Sequence, residues 1–191
     1  MQNPCEPQTF HTALKEWALL CDLLASGRQS LLLRKGGIYE SGGEFELEHK
    51  QFLLYPTYVH QDAAMLKPEY AAQVMPTAQE PAKIEINCWA RVYWIAQVPD
   101  RVRMERLDAM HIWNHRMLDM RFNYRPNYPL YLVLLDVYRL KQRLEIPMHG
   151  DYVGCRSWVD LKAPVEAGPS IPVHSPDELR KMRDCILREF E

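Results

Sequence analysis

The stretch Lys83–Val98 constrains this chain more than any other. Ile84, Ile86, Cys88, Ala90, Val92 and Trp94 alternate with Glu85, Asn87, Trp89, Arg91 and Tyr93, which is the period of a strand and not of a helix. About fifteen residues is long for one strand, so the pattern predicts a bend or bulge within it. A strand of that length needs partners. Ser30–Arg34 and Gln51–Tyr55 are short apolar runs stopped by Gly36-Gly37 and by Pro56. Leu130–Leu140 is apolar on both faces and reads as the central strand, and Ser157–Leu161 adds a short one.

Helical periods lie between these runs. Leu14, Trp17, Ala18, Cys21, Leu24 and Ala25 fall on one face, predicting a helix over 12–26 with Thr12 as N-cap and Gly27 at its end. Residues 61–74 are helical but interrupted by Pro68, and 75–82 form a loop. A long helix is expected from the Asp100 cap to about Phe122, with Leu107, Met110, Asn114, Met117, Leu118 and Arg121 as its stripe. Ser175-Pro176-Asp177-Glu178 is a capping box opening a last helix. Helices and strands do not alternate regularly, so the expected fold is α+β: one compact domain with a mixed, mainly antiparallel sheet against three to four helices. The division is a flexible N-terminal segment (1–11), a core (12–161), a Pro-rich linker (162–174) and a docking helix (175–191).

At 191 residues, 47% hydrophobic and 25% charged, the chain can bury roughly 70% of its unfolded surface without metal or disulfide. Its net charge of −2, with both signs interspersed, confines any nucleic-acid surface to a local patch. Five cysteines, far apart, odd in number and without a CxxC pair, read as reduced thiols. The polar N-terminus is no signal peptide, and no apolar run approaches the ~20 residues of a membrane helix. A cytoplasmic protein that does not engage membranes is expected.

Several polar segments can carry chemistry. Arg34 and Lys35 precede Gly36 and Gly37, where a close backbone and two cations suit a phosphate, although the Walker spacing is missing. Tyr55, Thr57, His60 and Gln61 crowd a strand end with hydroxyl, imidazole and amide groups; an ordinary loop satisfying its own backbone explains them too. His111 and His115 share a helix face as a candidate zinc pair, but the HExxH glutamate is absent. Cys155 lies beside Arg156, which can lower a thiol pKa, but a nucleophile there also needs a histidine, which His149 or His60 supplies only if the fold brings one within reach. Glu46 and Glu48, with Lys83-Ile84-Glu85-Ile86-Asn87, are pieces of a metal-dependent nuclease set lacking its lysine.

Four blocks, Ala13–Ala18, Leu33–Ile38, Phe52–Gln61 and Gly154–Val159, resemble a bacterial, largely cyanobacterial family, the domain of unknown function 1802. The resemblance implies a small cytosolic single-domain protein and transfers no activity. Three of its blocks are the polar segments above.

The reading is a phosphate-binding module for a nucleotide or nucleic acid, with no cofactor. Arg34, Lys35, Gly36 and Gly37 hold the anion, Tyr55, Thr57, His60 and Gln61 complete the site, and Arg156 adds a cation. It requires the strands ending at Arg34 and Tyr55 to be neighbours, which their short connection allows. The alternatives are a metal-dependent phosphodiesterase using Glu46, Glu48 and His60, with a divalent ion as its cofactor, and a non-catalytic protein-interaction domain.

Overall fold

A computed structural model describes residues 5–35, 38–41, 44–75, 77–154 and 156–191, without the side chains at 38–41 and 44–46. Gly36, Gly37, Cys155 and the Glu46 side chain, singled out above, lie outside the described residues. In chain order the elements are β1 (Gln8–Trp17), α1 (Ala18–Ser26), β2 (Leu31–Arg34), β3 (Ile38–Ser41), β4 (Glu44–Leu47), β5 (Gln51–Thr57), α2 (Pro68–Ala71), β6 (Lys83–Gln97), α3 (Arg101–Arg106), α4 (His115–Asn123), β7 (Tyr131–Pro147), β8 (Trp158–Ala167), β9 (Ser170–Pro172) and α5 (Pro176–Phe190). The fold is α+β, as the patterns predict. The main sheet runs β2-β7-β6-β5-β1-β8, with β9 on β7 and β3-β4 as a separate hairpin. Among the described strands only β1 and β5 run parallel.

Both faces of the sheet are buried. Leu14, Phe52, Leu54, Cys88 and Ala90 belong to one core, under α1 and the other helices, while Ala13, Leu53, Tyr55 and Trp89 belong to a second on the opposite face. Consecutive residues of a strand point to opposite faces, so two cores call for uninterrupted apolar runs. The sheet is also strongly curled. Arg34 on β2 reaches Glu16 on β1 at 3.4 Å, though four strand spacings of a flat sheet put them about 19 Å apart. β8 lies on β1, yet after Ala167 the chain joins β7 as β9 at Ser170, a span of at most ~11 Å. β6 bends at two register shifts, Ile86/Cys88 and Val92/Trp94, where its length predicts a bulge.

Three expectations change. Residues 12–17 continue β1 and are not helical, so Thr12 is no cap; Gly27 does end α1, with φ 75°. The 3.6-residue period is present, but Ala13 and Leu14 bury into separate cores, which only a strand permits. The helix expected over 100–122 breaks into α3, a 3-10 turn at Asp108–Met110 and α4. A cross-link causes the break: the Asn114 side chain donates to the Ala64 and Leu66 carbonyls and accepts from the Arg116 and Met117 amides. Residues 162–174, read as linker, hold the end of β8 and all of β9, and 8–11 belong to β1. The capping box at Ser175 and Glu178 forms, and Leu179 and Ile186 bury α5. Among the described residues no helix is long and apolar enough to cross a membrane.

Candidate anion-binding cleft

Arg34 ends β2 and Tyr55 lies in β5, and these strands are not neighbours: β2 pairs with β7, and β5 with β1 and β6. The expected adjacency is therefore wrong. The curl of the sheet brings the polar corners together instead. A cleft of about 550 Å³ collects Arg34 and Lys35 at the end of β2, Thr57 and His60 at the end of β5, and Arg156 before β8. It also takes Lys15 and Glu16 from β1, Arg121 from α4, Arg125, and Glu48. Six cationic side chains thus face two carboxylates in a chain whose net charge is −2. Concave walls of one sign focus the local potential.

Each cation is placed for a local reason. Arg34 donates to Glu16 at 3.4 Å, with both side chains largely buried. Burial raises the Glu16 carboxyl, against the pull of the Arg34 and Arg121 charges. Lys35 donates to the carbonyls of Arg121 and Phe122 at 3.0 and 2.9 Å, closing the C-terminal end of α4, where unpaired carbonyls favour a cation. Burial lowers Lys35 and Arg121. The Arg121 Nε is buried with no hydrogen-bond partner among the described residues. Lys15 donates to the carbonyls of Tyr152 and Gly154 and so holds the turn that delivers Arg156. Gly154 sits at φ 98°, where a side chain would be strained. Arg125 is at φ 47°, the one non-glycine residue with positive φ among those described, and its guanidinium lies over the Tyr124 ring. Such outliers gather at functional sites.

The Tyr55–Gln61 corner divides. Thr57 donates its hydroxyl to the Glu16 carbonyl at 3.1 Å. The amides of Tyr58 and Val59 donate to the Glu80 carboxylate at 3.0–3.1 Å, which fixes the turn carrying the exposed His60. Gln61 is not in the cleft. Its Oε1 accepts from the Leu19 amide at 2.9 Å and caps α1, because Trp17 at the N-cap has no group to do so. Tyr55 is buried behind the cleft and lines a neighbouring cavity.

His111 and His115 do not form a pair. His111 is buried after the 3-10 turn, and burial pushes its imidazole down to about 4, while His115 is the exposed first residue of α4. The shared helix face disappeared with the unbroken helix. Among the described residues no group of three or more His, Cys, Asp or Glu is placed to hold a metal ion. Glu48 is mostly exposed, 4.0 Å from His49, and faces the cleft with His60.

Sequence reasoning missed Lys15, Glu16, Arg121 and Arg125. Arg121 was visible as the charged member of a stripe that is apolar but for it and Asn114. Lys15 and Glu16 stood inside a family-like block.

Three solved structures are similar along nearly the whole chain. The crystal structure of ASCH from Zymomonas mobilis matches with 12% identity and a TM-score of 0.46, covering 91% of this chain and 93% of that one. Crystal structures of two mutants of that same protein match with 12% and 11% identity and TM-scores of 0.46 and 0.44, covering 91% of this chain and 94% and 96% of theirs. Similarity at this level says nothing of ligand or chemistry. No functionally curated protein matches the chain. The family model described as domain of unknown function (DUF1802) matches residues 13–184, which contain every cleft residue named above, and the chain belongs to that family.

Proposed function

We propose that the cleft binds a phosphate-bearing ligand, a nucleotide or nucleic acid. One observation carries this reading: cations from β1, β2, α4 and two loops converge on one open concavity. The partly buried Arg121 guanidinium is costly to keep with an unsatisfied donor. An anion would offset that cost, and would accept from the unsatisfied Arg121 Nε–H. Arg suits phosphate through its planar set of donors.

The test is binding of a fluorescent single-stranded oligonucleotide across a salt series. Wild type should bind with a log–log salt slope near −0.7 per phosphate neutralised. The Arg125→Ala/Arg156→Ala protein should keep its melting temperature and lose both affinity and slope. Binding that ignores salt, or a variant that binds like wild type, would end this reading.

A second reading, metal-assisted phosphodiester hydrolysis, is favoured by Glu48 and His60 facing the same cleft. It requires turnover of a generic phosphodiester that depends on Mg²⁺ or Mn²⁺ and is abolished in Glu48→Gln.

A further inference from the structure

Next to the cleft, and sharing Lys15, Thr57, His60 and Gly154 with it, lies a second cavity of about 430 Å³. It exists because β5 pairs with β6 only over Gln51–Leu53. Beyond Leu53 that side of β5 opens toward Met148 and Tyr152. Its wall is of a different kind: the Tyr55 and Tyr152 rings meet edge-on at 6.0 Å, with Met148 and Val59 beside them. Beyond the shared Lys15, Thr57 and His60, the polar groups that interrupt this apolar surface are Gln79, the Tyr55 hydroxyl and the Glu80 carboxylate. The Tyr55 hydroxyl, on a residue only 1% exposed, donates to the Met148 thioether at 3.1 Å, a weak acceptor that a better one would displace. The Glu80 carboxylate, which holds the 57–60 turn, also lines the cavity.

These features select a ligand by exclusion. A bare phosphate would meet the Glu80 charge here and find better partners next door. An alkyl chain would leave the Tyr55 hydroxyl and Glu80 facing apolar surface, at a desolvation cost. A flat ring with both donor and acceptor groups on its edge matches the aromatic wall, the phenol and the carboxylate together.

We infer that a nucleoside phosphate spans the two cavities, its base in the Tyr55–Tyr152 pocket and its phosphate on the cationic cleft, with the sugar passing the shared residues Thr57 and His60. A free nucleotide and one unstacked unit of a strand both supply such a base; the recognition chemistry is the same. This rests on the anion-binding reading of the cleft and adds to it which part of the ligand is discriminated.

Base-bearing and base-less ligands of equal charge separate the two ideas. Calorimetric titrations would compare adenosine and cytidine monophosphates with ribose 5-phosphate, and a short single-stranded oligonucleotide with its abasic counterpart. Inorganic tripolyphosphate serves as the phosphate-only probe. The base-bearing member of one pair should bind about tenfold more tightly or better, the usual worth of a base against an aromatic wall. Ala78→Trp, at an exposed position lining the pocket, should erase that advantage and leave base-less binding and the thermal midpoint unchanged. Tyr55→Phe should reduce the advantage without affecting tripolyphosphate. A monophosphate binding as well as the oligonucleotide assigns the site to free nucleotides, and an advantage confined to the oligonucleotide assigns it to strands; both support the proposal. Equal affinity within both pairs, or an Ala78→Trp protein that still prefers the base, overturns it while the cleft reading stands. If tripolyphosphate and every other phosphate-bearing probe fail to bind, the cleft reading falls first.

Discussion

On the inner side of the cleft Arg34, Lys35 and Lys15 are half-buried and already engaged: Arg34 with Glu16, Lys35 with the end of α4, Lys15 with the 152–154 turn. On the outer side Arg125, Arg156 and His60 are exposed, and among the described residues none of the three is in a salt bridge. The inner cations build the wall that presents the outer ones. Lys35 closes the helix from which Arg121 and, past its end, Arg125 extend. Lys15 anchors the turn that leads to Arg156. A residue engaged by the fold keeps its charge but not its hydrogen-bonding freedom, so the two sides should answer mutation differently.

The sharpest break in that comparison is Arg34→Ala. Removing one partner of a largely buried pair strands Glu16, and the loss should be about 3 kcal/mol, or roughly 6–12 °C in melting temperature for a chain of this size. Adding Glu16→Leu should recover much of it. If Arg34→Ala unfolds no earlier than wild type, the inner side is not structural. Next comes Arg125→Ala/Arg156→Ala, whose stability should stay within about 0.5 kcal/mol per site. Its oligonucleotide affinity should fall at least tenfold, with about 1.4 taken from the salt slope.

A smaller effect separates capping from binding. Gln61→Ala should cost about 1 kcal/mol as α1 loses its cap, measured by chemical denaturation, and leave ligand affinity alone. The smallest should come from Glu16 itself. Its folded carboxyl is raised by burial above the ordinary 4.5, so the folded state retains a proton that the unfolded chain has released. Its effect on stability is therefore most favourable below 4.5 and is lost as pH rises through the raised value. A bound anion raises it further, so affinity for an oligonucleotide should increase as pH falls through the raised value. The increase should be flatter in Glu16→Gln, with both proteins carrying His60→Ala so that this cleft side chain is removed from the comparison.

Much of the candidate site was legible in its parts and not in its assembly. Arg34, Lys35, Thr57, His60 and Arg156 stood out as polar residues at ends of apolar runs, and all five line one cleft. Gln61 looked equivalent but serves as a helix cap for a segment 42 residues away, a partner that no local pattern reveals. The His111/His115 pair failed because the spacing i, i+4 is meaningful only within an unbroken helix, and Asn114 starts a new one between them.

Local periodicity and stop signals determined β6 and its bend, the two-faced burial of β7, the Gly27 end of α1 and the capping box of α5, because each depends on neighbours within a few residues. Tertiary structure decided the rest. Residues 12–17 satisfy a helical stripe but pack as a strand, since Ala13 and Leu14 must reach opposite cores. Arg34 and Glu16 meet only because the sheet curls back on itself, and curl is a sum of twists and bulges over many strands. Where charges of one sign gather is therefore settled by the closure of the sheet and not by the order of residues along it.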